Sequence, residues 1–388
     1  MAAFWRKWRR QWHSAVVSSL RSSDSPVDAL IARQQPVLSK LYGWIVAQKR
    51  LKASRSPQRI APPSVPVFSV GNITFGATGK TPFVLLLVDY AMKRQRNQVP
   101  LLLSRGYGDD EWRLLASRYP KCQMALGADR VAVGRAKVEE LGEAAPLSCV
   151  VVDDGLQQWR LAKDLEIVMV DALHPLGNGL LLPCGSLREL PTDALKRAHV
   201  VIVHHADMLE SEKLRVLVES LKNLMDIRHN PIIATSRMKV VDLKPAAHLQ
   251  AVRTLNVVRN VTEVDGSTLN GRVALVLCGV GNPESVKLVV ENLANWTGVH
   301  VKAFPDHHAF SQGDVHDVIK CAQDLTLHDA SDVVVVTTEK DFARSPRAMK
   351  ALTAHLDLRV LQCELEMLDN AFQLNQRIDS HLDRSFAE

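Results

Sequence analysis

The chain has 388 residues and lacks the features of several common classes. Its six cysteines (Cys122, Cys149, Cys184, Cys278, Cys321 and Cys363) are scattered, with no C-x-x-C pair and no Cys/His spacing of a zinc site. A disulfide scaffold and a zinc module are therefore excluded, and the thiols are expected to be reduced, intracellular and mostly structural. Wholly apolar runs such as 83–88 fall far short of the ~18 residues that cross a bilayer, so a spanning protein is not expected. Internal repeats and low-complexity tracts are absent. No Asn-Lys dipeptide occurs, so the Asn-Lys-x-Asp guanine reader of a GTPase is missing. What remains is 46% hydrophobic and 23% charged residues, the balance of a globular chain with a sizeable core and about two domains.

The net charge of +6 is unevenly spread. The first 23 residues hold Arg6, Lys7, Arg9, Arg10 and Arg21 and no acid, with Trp5, Trp8, Trp12 and Val16 at helical spacing. This composition fits an organelle transit peptide, a solvated basic tail or an interfacial anchor. A second stripe, Val37, Leu41, Trp44 and Ile45, ends in Lys49, Arg50, Lys52, Arg55 and Arg59. Such a helix suits either an anionic membrane surface or docking on the domain core. Pro62, Pro63 and Pro66 end it. Elsewhere no basic run interleaves with aromatics, so nucleic acid is not an expected partner.

Beyond residue 65 the pattern alternates. Apolar runs at 65–70, 99–103, 149–152, 167–170 and 200–203 read as buried parallel strands, with helices at 81–94, 129–141 and 209–224 between them. The class is α/β, with a mostly parallel sheet. Residues 236–270 show no clear periodicity and read as a connector. A second α/β series follows: a strand at 273–278, a helix at 283–293 and a strand at 333–337. The expected organisation is a basic extension at 1–23, a nucleotide-binding domain at 24–235, a linker at 236–269 and a second domain at 270–388.

The strongest local signal runs from Gly71 to Thr81, Gly-Asn-Ile-Thr-Phe-Gly-Ala-Thr-Gly-Lys-Thr, between a strand and a helix. In a phosphate-binding loop the backbone N–H groups of residues such as Asn72, Thr74, Gly76, Ala77, Thr78 and Gly79 converge on phosphate oxygens at a helix N-terminus. Lys80 would reach the β/γ-phosphates and the Thr81 hydroxyl would ligate Mg²⁺. Pro82 suits the first helical turn. Thr74 stands where the usual motif has glycine, and Gly76 is expected to supply the flexibility. Asp153 and Asp154 end an apolar strand, as the Mg²⁺-holding acids of phosphate-loop NTPases do. With no guanine reader, ATP is the expected nucleotide. His204-His205 at a strand end reads as a loop or cap pair rather than a metal site.

Further motifs stand in one order: Ser104-Arg105-Gly106-Tyr107-Gly108, Asp110-Glu111, Asp153-Asp154-Gly155-Leu156-Gln157, Gly177-Asn178-Gly179, Leu187-Arg188-Glu189, Gly281-Asn282-Pro283, Asp306-His307 and Thr338-Glu339-Lys340-Asp341. Together with the phosphate loop, this series closely resembles the tetraacyldisaccharide 4′-kinases (lipid A 4′-kinases). The resemblance runs from about residue 36 to 341. It implies a phosphate-loop NTPase-like α/β/α sandwich joined by a β linker to a second, smaller α/β domain, with the active site in the cleft. It also implies ATP- and Mg²⁺-dependent phosphorylation of the 4′-hydroxyl of a tetraacylated glucosamine disaccharide 1-phosphate at a membrane surface, by a peripheral enzyme; a monomer is expected. Carried over by motif, the catalytic acid falls on Asp110 and its histidine partner on His307. Arg105 and Arg188 become phosphate-contact candidates, and Glu189 a magnesium-site or supporting acid. A carboxylate near the hydroxyl would take its proton, and a histidine bonded to it would orient it.

The extension before the resemblance suggests a eukaryotic member sent to the mitochondrion, with the plastid as alternative; a bacterial member would work at the cytoplasmic face of the inner membrane. Two departures stand out: Gln158 replaces a histidine common in the family, and Gly108 almost abuts Asp110 where bacterial members have a longer insertion. Another phosphate-loop kinase or ligase, or an inactive ATP-binding regulator, remain the alternatives.

Overall fold

The computed structural model describes residues 26–106, 119–142, 145–249, 266–329 and 331–383. Helix α1 (Pro26–Ala53) leads into an eleven-stranded sheet of order β3-β2-β4-β1-β5-β6-β7-β11-β10-β8-β9. The first half contains β1 (Val67–Asn72), α2 (Lys80–Arg94), β2 (Val99–Ser104), β3 (Gln123–Leu126), α3 (Arg130–Leu141), β4 (Leu147–Asp153) and β5 (Leu165–Asp171). It continues through α4 (Pro191–Leu195), β6 (Val200–His204) and α5 (Ser211–Lys222) to β7 (Ile232–Pro245). The second half holds β8 (Val273–Cys278), α6 (Pro283–Glu291), β9 (Gly298–Ala303), α7 (Gln312–Asp329) and β10 (Val333–Thr338). It ends with α8 (Glu339–Arg344), α9 (Pro346–Thr353), β11 (Asp357–Met367) and α10 (Ala371–Leu382). The strands expected from apolar runs form within two residues of those runs, because continuous Val/Ile/Leu segments suit strands covered by helices on both faces.

Strand β7 crosses between the halves. Its first residues pair in parallel with β6, and Ser236 to Pro245 pair antiparallel with β11. The stretch from residue 236, aperiodic in sequence, is therefore strand up to Pro245. Its residues are mostly half-buried, so neither face imposes the apolar alternation that marks a one-sided strand. All other pairings in the sheet are parallel. The last helix returns across this junction: Leu374, Ile378 and Leu382 of α10 join Phe68, Phe83 and Leu87 in the core of the first half. Gln95 donates to the carbonyl of Leu382 at 2.8 Å and Tyr90 to Asp379 at 2.9 Å, fixing α10 beside α2.

His199, just before β6, accepts a hydrogen bond at Nδ1 from the Glu166 amide at 2.9 Å and stacks on His229 at 4.7 Å. Burial, with the neighbouring His229 charge second, pushes it down from 6.5 to about 4. The folded value lies below the unfolded one, so protons favour the unfolded chain. Its contribution is fully present above pH 6.5 and is lost as pH falls toward about 4. Urea midpoints should therefore fall more steeply over that window for the native protein than for His199→Asn, whose amide oxygen can replace the acceptor. Equal slopes would remove His199 from the acid response.

Candidate active site

The loop from Ile73 to Gly79 lies between β1 and α2, at the carboxyl edge of the central strand, where open parallel sheets bind ligands. Asn72 donates from Nδ2 to the Thr78 hydroxyl at 2.9 Å and so closes the loop. Gly79 has φ +78, and a Cβ there would lie 2.5 Å from Cδ2 of His204, so only glycine fits. Gly76 has φ +119 with open space around it, at the exposed tip. Thr74, in the usual glycine position, is buried and bridges to Leu187; Phe75 donates its amide to the Ser186 carbonyl at 2.7 Å, and Arg188 donates its own to that of Ile73 at 2.8 Å. Lys80 and Thr81 open α2.

Beside this loop, β4 delivers Asp153 and Asp154. The Ser104 hydroxyl donates to Asp153 at 3.3 Å. Asp154 adopts φ +52, a left-handed backbone unusual for a residue with a side chain. Arg188 Nη1 donates to Asp154 at 2.6 Å and to Gln157 Oε1 at 3.3 Å, and its guanidinium lies 4.5 Å above the Phe75 ring. Burial works against the Asp154 charge, but Arg188 and Lys80 outweigh it and hold the carboxyl below the usual carboxylate range. Gln157 Nε2 donates to the Asn72 carbonyl at 3.2 Å and to Glu189 Oε1 at 3.0 Å. Glu189 is 1% exposed, and its other oxygen receives Arg197 at 2.8 Å. Arg188 and Glu189 thus brace the loop and its acids from one side, and Gln157, not Gln158, makes the bridging contacts.

Arg105 follows β2 and is exposed, at the border of the described residues. Asp110 lies outside them. Arg130, the first residue of α3, belongs to no motif singled out from the sequence. It is 1% exposed and donates to the Gly127 carbonyl at 2.6 Å, and burial lowers its pKa against the pull of Asp153 and Asp154. A buried guanidinium within electrostatic reach of Asp153 and Asp154 is a further candidate for phosphate contact.

The second half meets the loop through Gly281: a Cβ there would lie 3.0 Å from the Ala77 amide nitrogen and 3.3 Å from Asp306 Oδ2. His307 follows Asp306, has φ +60, and donates its backbone amide to the Gly279 carbonyl at 3.1 Å. Its side chain is 46% exposed, with Nε2 3.9 Å from Asp306. His308 is committed elsewhere, to Asp314 at 3.0 Å and to a stack on Phe304. Asp341, fully buried, accepts from the Gly279 amide, the Thr338 hydroxyl and Arg344, so this motif braces the 279–283 loop and caps α8.

The His204-His205 pair ties the halves together. His204 packs on Gly79 and is hydrogen-bonded to the Ser236 hydroxyl at 3.0 Å; burial pushes it well below its ordinary value, so it stays neutral. His205 Nδ1 lies 2.9 Å from Asp171 Oδ1, and Asn282 of the second half donates to Asp171 Oδ2 at 2.9 Å. Asp171 is 4% exposed.

Comparison with known proteins bears on this arrangement. A chain from Arabidopsis thaliana named probable tetraacyldisaccharide 4'-kinase, mitochondrial, is 30% identical over 363 residues, covering 85% of each chain. The tetraacyldisaccharide 4'-kinase of Anaeromyxobacter sp. (strain K) is 33% identical over 345 residues, 82% of each chain. The crystal structure of LpxK from Aquifex aeolicus in complex with ATP shares the fold, with a TM-score of 0.56 at 20% identity over 91% of this chain and 99% of that one. The family description "Tetraacyldisaccharide-1-P 4'-kinase" matches residues 32–383, a span holding the phosphate loop, the Asp153-Asp154 turn and the His307 loop alike, and the chain belongs to that family.

Proposed function

We propose that the protein transfers the γ-phosphoryl group of ATP to the 4′-hydroxyl of a tetraacylated glucosamine disaccharide 1-phosphate. The observation that carries this reading is the meeting, in a chain of this family, of the phosphate loop and its two acids with a loop from the other half at Gly281. The 4′-oxygen forms a bond to the γ-phosphorus as the bond from that phosphorus to the β,γ-bridging oxygen breaks. Lys80 and the loop amides hold the phosphates. Asp110 accepts the hydroxyl proton, and His307 hydrogen-bonds that carboxylate and orients it. Both roles rest on the motif resemblance.

Mg²⁺ is commonly bound by one or two carboxylates together with substrate phosphates, and Asp153, Asp154 and the Thr81 hydroxyl fit that demand. The Arg188 and Lys80 charges that keep Asp154 ionised support the fit. An ion held there would supply charge neutralisation on the transferring phosphates.

Helix α1 is the membrane contact of this reading. Val37, Leu41, Trp44 and Leu51 recur at helical spacing on one side, each at least half exposed. The opposite side docks on the body: Ser39 donates to the Leu181 carbonyl at 2.6 Å, Tyr42 to the Arg188 carbonyl at 2.9 Å, and Arg50 pairs with Asp193 at 2.7 Å. Among the described residues no helix is long and apolar enough to cross a membrane, so the exposed stripe lies in the interface while the substrate's acyl chains stay in the bilayer. Residues 1–23, outside the described residues, act as a mitochondrial transit peptide.

Purified protein given radiolabelled ATP, Mg²⁺ and the acylated disaccharide 1-phosphate in mixed micelles is expected to form the labelled bis-phosphate. Asp110→Ala should slow this at unchanged ATP affinity. ATP hydrolysis without labelled lipid would defeat the substrate assignment.

A further inference from the structure

Beside the end of α1 lies a groove of about 370 Å³ that no step of the phosphoryl transfer uses. Arg50, Leu51 and Arg55 line one wall and Asp193, Lys196 and Arg197 the other. Four cations thus face a single carboxylate. Arg50 is already paired with Asp193 at 2.7 Å, and Arg197 with Glu189 at 2.8 Å. Arg55 and Lys196 are exposed and make no ion pair among the described residues.

We propose that this groove binds the phosphate of an anionic phospholipid of the bilayer, at a site separate from both nucleotide and sugar. The only carboxylate in its walls is occupied, so a ligand here must bring acceptors, several of them, and negative charge. A phosphate ester meets that demand, and guanidinium forks match its oxygens. The apolar tail follows from Leu51, which is 55% exposed and closes the same stripe as Val37, Leu41 and Trp44. A lipid whose chains run along that stripe brings its head group to Arg55 and Lys196. Glu189 divides the groove from the phosphate loop: one of its oxygens faces Arg197 and Arg50, the other receives Gln157. The site therefore lies behind the loop and does not overlap it. The proposal rests on the membrane reading of α1 for the source of its ligand.

The test is sedimentation of the full chain with phosphatidylcholine vesicles, with and without phosphatidylglycerol; neither contains the disaccharide. Binding is expected to be at least about fivefold tighter with phosphatidylglycerol, on the scale of cations at an anionic surface. Arg55→Glu/Lys196→Glu should abolish that preference and keep the binding to phosphatidylcholine that the apolar stripe provides. Lys213→Glu/Lys222→Glu on α5 changes net charge equally and should preserve the preference. Equal binding to both vesicles, or equal loss in both double variants, overturns the proposal. Binding to neither vesicle removes the membrane reading and with it the lipid source. The groove is then read with inorganic phosphate, through the rise in melting temperature of native protein over Arg55→Glu/Lys196→Glu. Phosphate held by the loop at 73–79 cancels in that comparison. A difference keeps the groove as a phosphate site for a soluble ligand, and no difference rejects it.

Discussion

Replacing Lys80 by alanine is expected to lower turnover by about 10²–10³-fold, the range for removing one donor aimed at developing charge in a water-excluded site. The lysine opens α2 directly after Gly79, whose backbone is fixed by its left-handed φ and by the His204 ring against it. The starting point of the side chain is therefore set to within the freedom of its own rotamers. Arginine at this position is not expected to restore the rate, because a longer planar fork leaves from the same fixed point. Lys80 also helps hold Asp154 below the usual carboxylate range, so its loss lets that carboxyl protonate at higher pH. The acid limb of the pH–rate profile should then move upward in Lys80→Ala. Steady-state kinetics, with circular dichroism to confirm an intact fold, make the measurement. A rate within a few-fold of native would remove Lys80 from phosphate binding.

Asp171→Ala is expected to cost about 3 kcal/mol of stability or more and also to depress turnover. Asp171 joins His205 to Asn282 in a buried bridge, so its removal strands two polar groups, at about 1–3 kcal/mol each. The kinetic part has a separate cause. Asn282 caps α6 and immediately follows Gly281, which lies against Ala77. Without Asp171 the loop bearing Gly281, and the His307 loop behind it, lose an anchor to the phosphate loop. Thermal unfolding reports the first effect. A fall in kcat with little change in KM for ATP, measured well below the new melting temperature, reports the second. Normal kcat in a destabilised protein would confine Asp171 to folding.

The strand, loop and helix that hold residues 71–81 were legible in the sequence because each feature is local: an apolar strand, glycines where the backbone turns, a lysine and threonine at a helix start. The strand end at Asp153 and Asp154 was legible for the same reason. The supports around them were not. Gln157, Arg197 and Arg50 meet Glu189 only in three dimensions, and nothing in the separate segments shows that one buried carboxylate gathers them. Arg130 stands in no motif, and only the fold buries it to 1% exposure. The histidine pair at 204–205 could be placed at a strand end, but its partners Ser236 and Asp171 come from other strands. The second half of β7 escaped the periodicity argument because a ribbon half-buried on both faces carries no alternation.

The position of α10 bears on how the chain is made. Its Leu374, Ile378 and Leu382 complete the hydrophobic core around Phe68 and Phe83, which are synthesised hundreds of residues earlier. During translation the nucleotide-binding half therefore emerges with an apolar face uncovered and stays so until α10 clears the ribosome. Chaperone dependence of the nascent chain, and loss of the native fold on deletion of Ala371–Leu382, are the expected consequence.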